Sequence, residues 1–348
     1  MYKTLGTERR EAFDVFTMIA FRYFQEQKVD WIVLEVGVGG DIDATNIIST
    51  SELSIITSVG LDHIALLGKT KEIISERKCG IYKKNKPMVI GPNTPQDHIR
   101  DYLVNKMDAS LENLFFVEPT QDGDQDYEVE NNRVVRKAIE VLNLHTQVVD
   151  PAVVDKALKF QTRARMEKMN DRITYDGTQN VIGHIKSLST FLSRSPKDLG
   201  SKIVIVMAFP KEGNLVENMQ ALSDHPEIDK VEAIVLSECT NSIGLSYFGT
   251  KCVEILDIIK RASSTNLSDK FKVIFQNPVD GEVEFDSIWQ VFTRDPSSFQ
   301  VVKDSSMILY HLEHTDSVKA DSIFVMARLP FYRDVVSYVN RQANSTDS

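Results

Sequence analysis

The sequence predicts an α/β fold in which parallel sheets form two successive units. Apolar runs of strand length alternate with stretches of helical spacing in both halves of the chain. The runs are nearly continuous rather than alternating, which suits strands covered on both faces. At 348 residues the chain has room for more than one domain, at roughly 100–200 residues each. Asp150-Pro151 is the expected boundary, giving residues 1–150 and 151–340, with 341–348 a polar tail expected to be disordered.

Taken in order, Phe13, Phe16, Ile19, Ala20, Tyr23 and Phe24 recur at helical spacing within Glu8–Gln27, predicting a helix that packs one face on the core. Val29–Val36 reads as a strand buried on both faces, with one acid, Glu35, near its end, and it breaks into Gly37, Gly39 and Gly40. Leu53–Val59 reads as a second strand, followed by a loop through Asp62 and His63. Lys71–Cys79 reads as a helix with Gly80 placed to stop it, and Pro87–Ile90 as a third strand. An acidic, turn-rich loop over Thr120–Asp126 precedes a helix over Asn131–Leu142. In the second unit, apolar runs at Ile203–Met207, Ala233–Leu236, Val273–Phe275 and Ile323–Met326 alternate with helical stretches such as Cys252–Arg261.

Composition narrows the chemistry. A net charge of -10 opposes a polyanion, so small molecules are the expected partners, with no nucleic acid. The longest strongly apolar run, Ile203–Phe209, is far short of the roughly 18 residues of a membrane span. The first residues lack the apolar region of a secretion signal, so a cytoplasmic location is expected, a mitochondrial form being the other reading. Cys79, Cys239 and Cys252 contain no Cys-x-x-Cys and are expected to be free thiols.

Two glycine motifs come close to nucleotide signatures and miss. The Gly37 turn lacks the last glycine of G-x-G-x-x-G, since Ile42 stands there. His63–Thr70, HIALLGKT, has histidine where a phosphate loop needs its first glycine, and bulky residues where backbone N–H groups must wrap an anion. Glu35 at a strand end is costly to bury alone, so it is either a ligand to a metal or substrate or a structurally paired acid.

The order of segments LEVGVGGDIDATN, ITSVGLDHIALLGKT, ISERKCGIYK, YEVENNRVVRKAIEVL, RARMEKM and YDGTQN resembles the Mur-ligase superfamily, nearest its folylpolyglutamate synthase and dihydrofolate synthase branch. The resemblance implies a Mur-ligase-like central domain, N-terminally incomplete, followed by a Rossmann-like α/β C-terminal domain. It implies ATP and Mg2+ as cofactors, with Glu35 and His63 on the metal. Hard oxygen ligands such as Glu35 suit magnesium. It places Ile42, Asp43 and Ala44 against a pterin and makes Lys78 the lysine that carries a carbamate. Asn131 would meet adenine, Arg165 the ATP phosphates, and Asp176 the nucleotide. Each has a plainer reading: Lys78 a solvated helix lysine, Asn131 a helix cap, Arg165 a surface ion pair, Asp176 a turn residue.

The implied reaction activates a folate or pteroate carboxylate with ATP, giving an acyl phosphate that the amine of glutamate attacks. The implied protein is a monomer acting on folate or pteroate and glutamate. Four departures from the family accompany the resemblance. Its glycine-rich phosphate loop would lie upstream of the opening helix; Gln179 replaces a histidine; Thr162, Arg163 and Ala164 replace tryptophan, proline and glycine; and Ala327-Arg328 replaces glycine-serine. Three readings therefore stand: a folylpolyglutamate synthase-like ligase, a dihydrofolate synthase, and a non-catalytic remnant that binds folate or a partner.

Overall fold

The structure is a computed structural model that describes residues 12–119, 126–145, 149–178, 180–195, 203–208, 224–237, 272–274, 290–293 and 321–327, with scattered positions at 218–222 and 332–342. The chain divides into two compact units, residues 1–124 with 128–158, and residues 125–127 with 159–348.

The first unit holds α1 (Ala12–Gln27), β1 (Ser54–Ser58), α2 (Ile64–Leu67), α3 (Lys71–Cys79), β2 (Met88–Asn93), α4 (Gln96–Met107), β3 (Leu114–Phe116), most of α5 (Tyr127–His145) and α6 (Pro151–Ala157). Its sheet is parallel, in the order β1-β2-β3. β2 is covered on both faces, which is why its sequence shows no alternation. Met88 and Ile90 pack with Ile74, Ile99 and Leu103 of α3 and α4, while Val89 points to Val134, Ala138 and Val141 of α5. α3 ends as the sequence predicts: the Thr70 hydroxyl accepts from Ile73 N–H at its start and Gly80 closes it. Asp150-Pro151 is the capped start of α6, with the Asp150 carboxylate accepting from Ala152 N–H and proline at the first position.

Two expectations in this unit are overturned. Val29–Val36 joins no ladder among the described residues, and Val33 is 97% exposed. An apolar run supplies a preference for burial, but a strand also needs a neighbour for its N–H and C=O groups, and β1 pairs only with β2 among those residues. α1 is a helix as expected, yet its apolar face does not join the core: Phe16 is 68% exposed and Ile19 and Tyr23 are also open.

Among the described residues, the second unit is built on a seven-stranded sheet. It holds β4 (Glu167–Lys168), β5 (Ile173–Asp176), α7 (Val181–Arg194), β6 (Ile203–Ala208), β7 (Val231–Ser237), β8 (Lys272–Ile274), β9 (Gln290–Thr293) and β10 (Ser322–Ala327). The order is β4-β5-β10-β6-β7-β9-β8, with a parallel centre and antiparallel strands at both edges. Alternate residues of β10 serve opposite cores. Phe324 and Met326 join Leu188 and Phe191 of α7, and Ile323 and Val325 join Ile173, Tyr175 and Val335. The Phe191 and Phe324 rings stack at 4.3 Å. The predicted helix at Cys252–Arg261, residue Phe275, most of the Thr120–Asp126 loop and the 341–348 tail lie outside the described residues, apart from a helical position at Gln342.

Candidate functional site

In the first unit the glycine turn that leads into Ile42, Asp43 and Ala44 meets the end of α3, the helix that carries Lys78. Gly40 and Gly80 make that meeting possible. A Cβ on Gly40 would sit 2.7 Å from the Arg77 carbonyl oxygen, and one on Gly80 would sit 2.5 Å from Asp41 Cα. The backbones therefore touch, and Asp41 N–H donates to Arg77 O at 3.0 Å while Arg77 Nη1 pairs with the Asp41 carboxylate at 2.6 Å. Neither glycine has a left-handed φ here; glycine is required by the close approach.

Asp43 organises the next turn. Its Oδ2 accepts from Val38 N–H at 2.8 Å, and its Oδ1 accepts from Thr45 N–H at 3.0 Å and from the Thr45 hydroxyl at 2.6 Å, capping a single 3-10 turn over Ala44–Ile47. Both carboxylate oxygens are thus committed to the fold. Asn46, which carries no assignment from the sequence, ties this turn to the end of α3. Its Nδ2 donates to Gly80 O at 3.0 Å, and its Oδ1 accepts from Lys83 Nζ at 2.9 Å. Ile42 is half exposed and Ala44 partly buried beside these anchors.

Asp62, a residue to which the sequence assigns no role, bonds to His63 and acts electrostatically on Lys78. His63 stands in a left-handed backbone (φ 49°) with its N–H donating to Asp62 Oδ1 at 2.8 Å. Burial lowers the Lys78 pKa below the usual lysine value, with Asp62 acting in the opposite sense. Lys78 is thus partly desolvated, unlike a fully solvated helix lysine. Glu35 is exposed, and among the described residues no group of three His, Cys, Asp or Glu gathers as a metal site. Of the two expected ligands, Glu35 offers hard carboxylate oxygens of the kind that suit Mg2+ and His63 an imidazole nitrogen. The phosphate-loop look-alike is a different device altogether: Gly68 (φ 125°) turns the chain between α2 and α3, and Thr70 caps α3. Asn131 is exposed inside α5, not at its cap, next to the buried Glu130, which accepts from Asn93 Nδ2.

In the second unit Arg165 and Asp176 lie on neighbouring backbone. Asp176 is 1% exposed at the end of β5. Its Oδ2 accepts from Met166 N–H at 3.0 Å and from the Tyr127 hydroxyl at 2.5 Å, and its Oδ1 accepts from the Ser187 hydroxyl at 3.1 Å. Gly177 N–H donates to Ala164 O at 2.7 Å, and Arg165 Nη1 donates to Gly177 O at 3.0 Å while its side chain remains open to solvent. Gln179 and Arg328, the positions of two departures from the family, lie outside the described residues.

The chain thus carries two α/β units, one with a glycine turn locked onto a lysine-bearing helix and one with an arginine loop seated on an Asp-Gly strand end. No family model matches the chain. The chain is 47% identical over 91 residues to "Dihydrofolate synthase/folylpolyglutamate synthase" of Haemophilus influenzae, covering 26% of this chain and 21% of that protein. It is 31% identical over 226 residues to "Folylpolyglutamate synthase" of Lacticaseibacillus casei, covering 56% and 51%. Its fold is similar to that of E. coli FolC in complex with DHPP and ADP, with a TM-score of 0.61 at 19% identity over 97% of this chain and 72% of that one. The chain is thus similar in part of its sequence to folylpolyglutamate and dihydrofolate synthases, and it shares its fold with a FolC structure. The match spans about a fifth of the Haemophilus protein and half of the Lacticaseibacillus one.

Proposed function

We propose that the protein is an ATP-dependent folate ligase that joins glutamate to a folate carboxylate through an acyl phosphate. Residues 1–150 would act as the central ATPase-type domain and 151–340 as the C-terminal domain. The observation that carries the reading is the glycine turn clamped on the end of α3, the helix on which Lys78 stands partly desolvated, in a chain similar to folylpolyglutamate and dihydrofolate synthases. Desolvation favours the uncharged amine, the form that takes up carbon dioxide to give a carbamate, so the Lys78 environment supports that role. Magnesium, when bound, would neutralise phosphate charge, with Glu35 and His63 as its protein ligands.

Arg165 keeps most of its N–H groups free among the described residues and would donate them to ATP phosphate oxygens. Asp176 would act on the nucleotide by fixing the backbone around Arg165, because its carboxylate is already bonded to the fold. Asp43 would likewise shape the pterin-facing surface formed with Ile42 and Ala44, and Asn131 would meet the adenine. We place the protein in the cytoplasm as a monomer using small-molecule substrates only.

Incubating the chain with ATP, Mg2+, a reduced folate and glutamate should release ADP only when folate is present. Replacing the folate by dihydropteroate separates polyglutamylation from dihydrofolate synthesis. ADP release that ignores both pterins, or none at all, overturns the reading.

A further inference from the structure

The loop that carries Arg165 is held in an unfavourable backbone. Ala164 has φ 59° and Met166 φ 41°, so two residues with a Cβ lie in the left-handed region on either side of the arginine. Such a shape persists only where its surroundings determine it fully, and here they do. Ala164 N–H donates to Glu167 Oε2 at 2.6 Å and Ala164 O accepts from Gly177 N–H. Arg165 N–H donates to Thr162 O, and Met166 N–H to Asp176. Gln161 Nε2 donates to both the Arg165 and Met166 carbonyl oxygens. Every backbone donor and acceptor from Ala164 to Met166 is used.

Glu167 is the anchor with the widest reach. Its side chain is 17% exposed, and its Oε1 pairs with Arg163 Nε at 2.8 Å. The Tyr332 hydroxyl donates to Glu167 Oε2 at 2.8 Å and accepts from Arg163 Nε at 2.7 Å. The Tyr332 ring is itself fixed, edge to face with buried Tyr175 at 5.1 Å. Arg163 is thereby engaged with carboxylate and phenol, whereas Arg165 spends only Nη1 on the protein among the described residues.

We propose that Glu167 is a positioning residue for Arg165, with Tyr332 as its second support, so that recognition of nucleotide phosphates by Arg165 depends on this pair. The inference rests on the reading of Arg165 as the phosphate-binding arginine. Glu167 acts through the Ala164 N–H and through neutralising Arg163, not by touching the ligand.

The test is ATP-Mg2+ affinity of the full chain by calorimetry, together with the KM for ATP and for folate. E167Q keeps the size of the side chain but removes the charge facing Arg163. Y332F keeps the ring packing and removes only the hydroxyl, which covers the case in which E167Q fails to fold. Each should weaken ATP-Mg2+ about fivefold, the factor that a single lost contact of ordinary strength produces, and leave the KM for folate unchanged. In an R165A background neither should weaken it further, since the coupling of neighbours acting through one group is not additive. If R165A weakens ATP binding and E167Q or Y332F weakens it equally in both backgrounds, or in neither, the proposal is overturned while Arg165 stands. If R165A binds ATP-Mg2+ like the parent chain, the reading of Arg165 falls and the proposal with it.

Discussion

Gly80→Ala is the sharpest probe of the clamp between the glycine turn and α3. The residue has φ -56°, so alanine meets no torsional obstacle, and by helix preference alone the change should stabilise by about 0.5–1 kcal/mol. Packing reverses the sign. The new Cβ would lie 2.5 Å from Asp41 Cα and 2.7 Å from Asp41 N, both backbone atoms that cannot rotate away. The turn or the helix must retreat. Retreat stretches the Asp41 N–H bond to Arg77 O and the Asn46 bond to Gly80 O, each 3.0 Å now, at roughly 1 kcal/mol apiece. Overpacking of a close contact adds about 1–3 kcal/mol. The half-open Asp41–Arg77 pair adds little, about 0–1 kcal/mol. Net of the helix gain, destabilisation of about 2–5 kcal/mol is expected. Because the chain divides into two compact units and a global transition need not report on one of them, the assay is hydrogen exchange of the α3 amides alongside urea unfolding. Unchanged α3 protection, or a stabilisation near 0.5–1 kcal/mol as for an uncrowded helix end, would refute the contact argument.

Asp43→Ala removes three acceptor bonds, to Val38 N–H, Thr45 N–H and the Thr45 hydroxyl; a loss of about 2–3 kcal/mol in the first unit is expected by urea unfolding, whereas a surface pterin contact alone would cost almost nothing. His184 is 2% exposed, bonded to Asn218, and burial pushes its pKa down to about 4. The unfolded chain takes up this proton below its ordinary value near 6.5 and the folded one does not until about 4. The contribution of His184 is therefore complete above about pH 6.5 and falls on acidification by on the order of 3 kcal/mol. Unfolding of His184→Gln across pH 7 to 4 should show a shallower decline than the parent chain; parallel declines would exclude the effect. Cys79 is buried with its thiol pushed up to about 12, so peptide mapping after alkylation at neutral pH should find it unlabelled until the first unit unfolds.

What the sequence could disclose tracks how local each cause is. α3 was legible from end to end because Thr70 and Gly80 cap it within the segment. The central strands β2, β6, β7 and β10 were legible because burial on both faces leaves an uninterrupted apolar run. Val29–Val36 has the same signature without the strand, since pairing depends on a neighbour that the run does not encode. β4, with two residues, is too short for any periodicity. At the site, the glycines of the 37–40 turn were visible as a turn, but their role as a contact with Gly80 depends on a close approach between distant segments. Asp43 and Asp176, read from the resemblance as pterin and nucleotide contacts, are in addition hubs of hydrogen bonds within the fold. Tyr332 stands 169 positions from Arg163 and no spacing rule could link them.

The central proposal is that this chain activates a folate carboxylate by phosphorylating it. Supplying folate whose carboxylate carries a heavy-oxygen label, with ATP, Mg2+ and glutamate, tests it most directly. An acyl phosphate broken by the glutamate amine leaves one carboxylate oxygen on the departing phosphate, so the account predicts one label per phosphate and a folate extended by one glutamyl unit. Unlabelled phosphate, or phosphate released without an extended folate, would contradict it.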